Sequence, residues 1–143
     1  DGYFTRIETS TLIGLADCYV SLHRSEGLGL TISEAMSLAV PVIATAYSGN
    51  LDFMENTNSK LVPSLKRVPV GFGAEGYSTT ATWMEPDLEQ AAQYMRLIYK
   101  NPQAGSDMGE RGRRDVLRTY NVEQCGVIMR NRLDHIWRTL NAN

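Results

Sequence analysis

The 143 residues suit one domain with room for a buried core, and 43% hydrophobic with 21% charged residues is ordinary globular composition. Fourteen Lys plus Arg against 16 Asp plus Glu leave a formal charge of −2, which excludes a nucleic-acid binder working through bulk charge. Cys18 and Cys125 belong to no CxxC pair or Cys/His cluster, which argues against structural zinc, and there is neither a membrane-length apolar run nor a recognisable signal peptide.

In chain order, Thr5-Arg6-Ile7-Glu8 reads as a capping box that opens a helix, with Ile7, Thr11, Leu12 and Leu15 as its apolar stripe and Asp17 at its end. Cys18 to Leu22 reads as a strand, and His23 to Gly27 as a short loop. The spacing of Ile32, Ala35, Met36 and Ala39 predicts a helix over 30–38 with that face inward. Pro41 to Thr45 is apolar enough for a buried parallel strand, so residues 18–45 make a tight βαβ unit. Ala46 to Asn50 is a loop, with Asn50 as the expected cap of a short helix containing Leu51 and Phe53. Lys60 to Val62 reads as a third strand and Arg67 to Val70 as a further extended segment. Residues 71–82, rich in Gly, Ser and Thr, read as a long surface loop.

The remainder reads as helical. A helix begins at Pro86-Asp87, carries Leu88, Ala91, Ala92, Met95 and Ile98 on one face, and stops at Asn101-Pro102. A second covers about 104–119. A third runs over 122–140 with a stripe of Cys125, Met129, Leu133, Ile136, Trp137 and Leu140. The fold expected is α/β, a Rossmann-like parallel sheet flanked by helices, with a core over 1–100 and a helical C-terminal region over 103–141.

Ser25-Glu26-Gly27-Leu28-Gly29-Leu30-Thr31-Ile32-Ser33-Glu34 follows a strand and opens a helix, the place where open α/β sheets bind ligands. A helix start offers free N–H groups and the positive end of a dipole to phosphate. Gly27 and Gly29 let a ligand approach the backbone closely. Glu34, in the second turn, shares a face with Leu30 and Thr31. A diphosphate at the helix start and a ribose diol at Glu34 would therefore be neighbours on one nucleotide. A carboxylate suits two adjacent hydroxyls, having two acceptor oxygens and no donor. Glu26 lies on the other side of the phosphates, where a sugar would be.

Glu26 and Glu34, with seven residues and the glycines between them, then Ala35-Met36, Pro41-Val-Ile-Ala-Thr45 and Ser48-Gly49-Asn50, resemble the E-x7-E motif of the family 4 (group 1) retaining glycosyltransferases. The resemblance is dense from about 12 to 62 and looser through Trp83-Met84-Glu85-Pro86-Asp87. It implies the C-terminal, nucleotide-sugar-binding domain of a GT-B fold. Glu34 would be the ribose ligand and Glu26 the catalytic-side sugar contact. Gly27, Gly29, Leu30 and Thr31 would supply the donor-binding backbone, and Gly49 would line the phosphate or base side. It implies no cofactor and no metal, with a nucleotide-diphosphate sugar as the substrate and an acceptor the sequence does not name.

Two departures from the family's pattern stand out. Ala39 occupies a position where the family usually has Gly; a left-handed cap there would cost roughly 1 kcal/mol. The family's diphosphate-gripping Arg and Lys belong to earlier strands, and nothing here matches them. The chain therefore reads as a fragment lacking the N-terminal acceptor domain and inactive alone. The alternatives are a non-catalytic nucleotide-sugar-binding or interaction module, and a GT-B nucleotide-sugar epimerase. His23 and Arg24 flank the motif within reach of substrate, but surface or packing roles account for them equally well. Arg111, Arg113 and Arg114 read as a solvated helix face. The apolar stripe of the last helix is expected to be exposed or to mediate self-association. The cytoplasm is the expected location, with the inner face of a membrane as a site for the parent protein.

Overall fold

A central parallel strand needs unbroken apolar sequence because both its faces are covered. Val42–Thr45 supplies it: all four residues are buried in the computed structural model, which describes residues 2–71 and 76–141. This strand, β2, lies between β1 (Tyr19–Ser21) and β3 (Lys60–Val62) in a parallel three-stranded sheet. Val20 is in register with Ile43, and Ala44 with Leu61.

The side-chain period of two divides the core between the two faces of this sheet. Val42 and Ala44 pack with Ile32, Ala35 and Met36 of α2 (Leu30–Ser37), with Val116, and with Ile13 of α1 (Arg6–Gly14). Ile43 and Val62 pack on the other side with Ala91 and Ile98 of α3 (Leu88–Lys100) and with Met108. Met108 and Val116 both belong to α4 (Pro102–Thr119), which therefore serves both clusters. Gly109 of α4 lies so close to the turn after α2 that a Cβ there would stand 2.0 Å from the Ala39 carbonyl oxygen. The α/β layering is the one expected.

Local signals placed most helix ends. Thr5 and Glu8 form the reciprocal capping box of α1. The Asp87 carboxylate accepts the Glu89 and Gln90 N–H groups at the start of α3. α4 begins at Pro102 rather than 104, because the Asn101 side chain caps it and Pro suits a first helical turn. α5 spans Val122–Leu140, as its periodicity predicts. Ala39 has φ 60°, so the left-handed conformation after α2 is carried by a residue with a Cβ.

Other expectations change. The extended segment expected at 67–70 is β4 (Ser64–Pro69), paired antiparallel with β5 (Thr82–Pro86) as a separate two-stranded sheet. Of the loop expected over 71–82, residues 72–75 lie outside the described residues and Thr82 already belongs to β5. Asn50 does not cap a helix. It is fully buried inside a 3-10 turn (Gly49–Asp52) preceded by Ser48, and its amide donates to the Thr45 carbonyl at 2.9 Å. The stripe of α1 is amphipathic but uncovered: Ile7, Leu12 and Leu15 are exposed, and it is Ile13 that reaches the core. Among the described residues α5 packs chiefly on α4 and buries none of its own, with Trp137 70% exposed.

Candidate functional site

The site lies where β1 and β2 deliver their following loops to the same end of the sheet, as the parallel register requires. The loop after β1 runs from Leu22 to Gly29, and the loop after β2 from Ala46 to the 3-10 turn. Four contacts hold them together. His23 Nε2 is 2.8 Å from the Tyr47 carbonyl, while its Nδ1 is 3.1 Å from Ser21 Oγ. The Ser48 hydroxyl donates to the Glu26 carbonyl. Gly49 lies flat on Gly27, where a Cβ would stand 2.0 Å from the Gly27 oxygen. The Asn50 side chain packs against Gly29.

Gly29 ends the first loop with φ 83°, a left-handed conformation that glycine adopts without the penalty a Cβ brings. It is the N-cap of α2, and no side chain caps the helix there. No acidic residue occupies the first turn of α2 either, so its start remains electropositive. Leu30 and Thr31 are exposed on this turn, and the Thr31 hydroxyl accepts from Tyr19 at 2.9 Å.

The two glutamates differ in environment. Glu26 is half-buried, and its carboxylate accepts the Gly27 N–H at 2.9 Å, which fixes it against the loop it belongs to. Glu34 is half-buried in the second turn of α2, and its carboxylate has no hydrogen-bond or ion-pair partner among the described residues. An uncompensated carboxylate can accept hydroxyl donors, and the uncapped helix start beside it can receive negative charge. Among the described residues no group of three His, Cys, Asp or Glu could hold a metal ion.

Of the sequence-derived candidates, Glu26, Gly27, Gly29, Leu30, Thr31 and Glu34 lie on one continuous loop–helix, and Gly49 joins them from the second loop. Gly49 meets the neighbouring backbone, so its small size serves the closeness of the two loops. His23 has both ring nitrogens engaged within the protein. Arg24 points to the hairpin, 2.8 Å from Glu85 and 5.1 Å from the centre of the Trp83 ring. A cleft of ≈ 430 Å³ opens there between His23–Ser25 and Tyr77, Trp83 and Glu85. Sequence reasoning missed Ser48 and Asn50 as organisers of the site. Ser48 has φ 83°, a strained conformation for a residue with a Cβ. The buried Asn50 Oδ1 and Thr45 Oγ1 lack partners among the described residues.

Residues 2–66 match the family model described as Glycosyl transferases group 1, which covers both glutamates and both loops. A sucrose-phosphate synthase from Thermosynechococcus elongatus, a GT-B glycosyltransferase, has a similar structure, with a TM-score of 0.69 and 22% sequence identity. The match covers 99% of this chain and 30% of that one, so the chain spans under a third of its length. None of the curated proteins matches the chain in sequence. In sequence the segment 2–66 is similar to the group 1 glycosyl transferases, and in fold the chain is similar to a GT-B glycosyltransferase.

Proposed function

We propose that the segment from Glu26 to Glu34 binds the nucleotide-diphosphate sugar of a retaining glycosyltransferase, and that this chain is the donor-binding part of that enzyme. The observation that carries the reading is the unpartnered, half-buried Glu34 carboxylate one turn beyond an uncapped helix start. The N–H groups of Leu30 and Thr31 face the diphosphate, and Glu34 accepts hydrogen bonds from the ribose hydroxyls. As the sugar–phosphate bond breaks, negative charge grows on the leaving diphosphate. Donors already fixed by the helix stabilise that charge without reorganising. Glu26, held by the Gly27 N–H, presents its remaining acceptor capacity to the sugar. The reaction requires no metal ligand from this segment.

Titration of the chain with UDP, GDP and UDP-glucose, followed by amide chemical shifts, tests the reading. Shifts centred on residues 27–34, lost in Glu34→Ala, support it and rank the bases. Saturable binding mapped elsewhere, or equal binding by Glu34→Ala, contradicts it.

A further inference from the structure

The loop that carries Glu26 is held from two sides. On one side are Ser48 and Gly49 of the neighbouring loop. On the other is the β4–β5 hairpin, which stands apart from the parallel sheet. Among the described residues, three polar or cation–π contacts of Arg24 join the hairpin to the loop. The Met84 N–H donates to the Arg24 carbonyl at 3.1 Å. The Arg24 guanidinium donates to Glu85 Oε1 at 2.8 Å. The same guanidinium lies 5.1 Å from the centre of the Trp83 ring, and Tyr77 packs edge-on against that ring at 6.3 Å. Glu85 is the less exposed partner, with 25% of its side chain accessible against 44% for Arg24.

Arg24 is the basic residue nearest Glu26 in sequence, which would suit a direct grip on a ligand's phosphate. Its geometry says otherwise: the charge is engaged by a carboxylate and an aromatic face, both on β5. We propose that Arg24 is a positioning residue of the donor site. Glu85 and Trp83 hold it so that the hairpin braces the loop bearing Glu26 and Gly27 against the start of α2. The proposal rests on the donor-site reading for its ligand, but not for the brace itself. With the brace intact, Glu26 and the α2 start keep a fixed separation before the ligand arrives, which lowers the ordering cost of binding.

The test compares the wild-type chain with Arg24→Gln, Glu85→Gln, and the exchanged pair Arg24→Glu with Glu85→Arg. In the ligand-free chain, hydrogen exchange is read at the amides of Met84, bonded to Arg24, and Ser33, bonded to Gly29. Each single variant should exchange about three- to fivefold faster at these amides, the scale of a partly exposed ion pair backed by a cation–π contact. The β2 amides should not change, and the exchanged pair should return toward wild type. UDP affinity should fall and recover in the same order. Wild-type exchange in the single variants, or no recovery in the exchanged pair, overturns the brace. Weaker binding by Arg24→Gln with tighter binding by Glu85→Gln also overturns it, because Arg24 would then be a phosphate ligand. If the wild type binds no nucleotide while the exchange pattern holds, the brace stands and the donor-site reading falls.

Discussion

Gly49→Ala is the substitution through which the fold and the site can be tested together. The added Cβ would lie 2.0 Å from the Gly27 carbonyl oxygen and 3.0 Å from both the Gly27 carbonyl carbon and Leu28 Cα. All three are main-chain atoms, so no side chain can swing away to make room. Relieving the contact with oxygen requires a displacement on the order of 1 Å between the two loops, since non-bonded carbon and oxygen rarely approach closer than about 3 Å. Overpacking of this kind costs about 1–3 kcal/mol. The displaced atoms belong to the segment between Glu26 and the α2 start, so nucleotide affinity should fall along with stability. Urea unfolding gives the stability loss, and amide shifts locate the displacement. The expected pattern is large shift changes at residues 26–30 and 46–50 with little change in α3 and α5. Wild-type stability together with wild-type shifts at Gly27 and Leu28 would refute the close packing of the two loops.

Three further outcomes are expected. Ala39→Gly should raise stability by about 0.5–1 kcal/mol, since relief of the left-handed strain at φ 60° exceeds the added unfolded-chain entropy; a loss in thermal or urea unfolding would contradict this. The Thr5 backbone N–H and then its hydroxyl hold the Glu8 carboxyl below its ordinary value of 4.5. The support this gives to α1 is therefore present above that ordinary value and disappears as pH falls through the depressed folded one. A carbon-13 titration of Glu8 should show the depression, Thr5→Ala should lessen it by removing the hydroxyl while leaving the backbone N–H, and an ordinary Glu8 value in the wild type would contradict the capping box. The exposed stripe of α5, with Trp137 70% accessible and Leu140 72%, should self-associate. Sedimentation should then show a concentration-dependent dimer that Trp137→Ser disperses, whereas a wild-type monomer at all concentrations would count against it.

What the sequence revealed and what it hid divide along the range of the interactions. Thr5 and Asp87 cap their helices through bonds to residues two or three positions on, so their roles are legible locally. The buried run of β2 and the inward face of α2 follow from periodicity alone. Ala39 was legible as a strained position only through the family resemblance, which places Gly there, and its φ of 60° is the left-handed conformation that Gly would carry more easily. Asn50 was misread for the opposite reason. After Ser48-Gly49 it has the form of a cap, but its partner is the carbonyl of Thr45 across a turn, which no local pattern announces. The link from Arg24 to Glu85 spans 61 positions and leaves no periodic trace. Amphipathic spacing in α1 and α5 says which face is apolar, not whether anything covers it.

The central claim concerns Glu34 and a ribose diol, and a ligand-by-residue cycle tests it most directly. The affinities of UDP and of its 2′,3′-dideoxy analogue are measured by titration for wild type and for Glu34→Ala. Hydrogen bonds to a charged acceptor are worth about 1.5–3 kcal/mol, so removing the hydroxyls should weaken binding to the wild type by about tenfold or more. In Glu34→Ala the two ligands should bind alike, since the group that distinguishes them is gone. An equal loss on removing the hydroxyls in both proteins would mean that Glu34 does not hold the ribose, and the account of this site would fail.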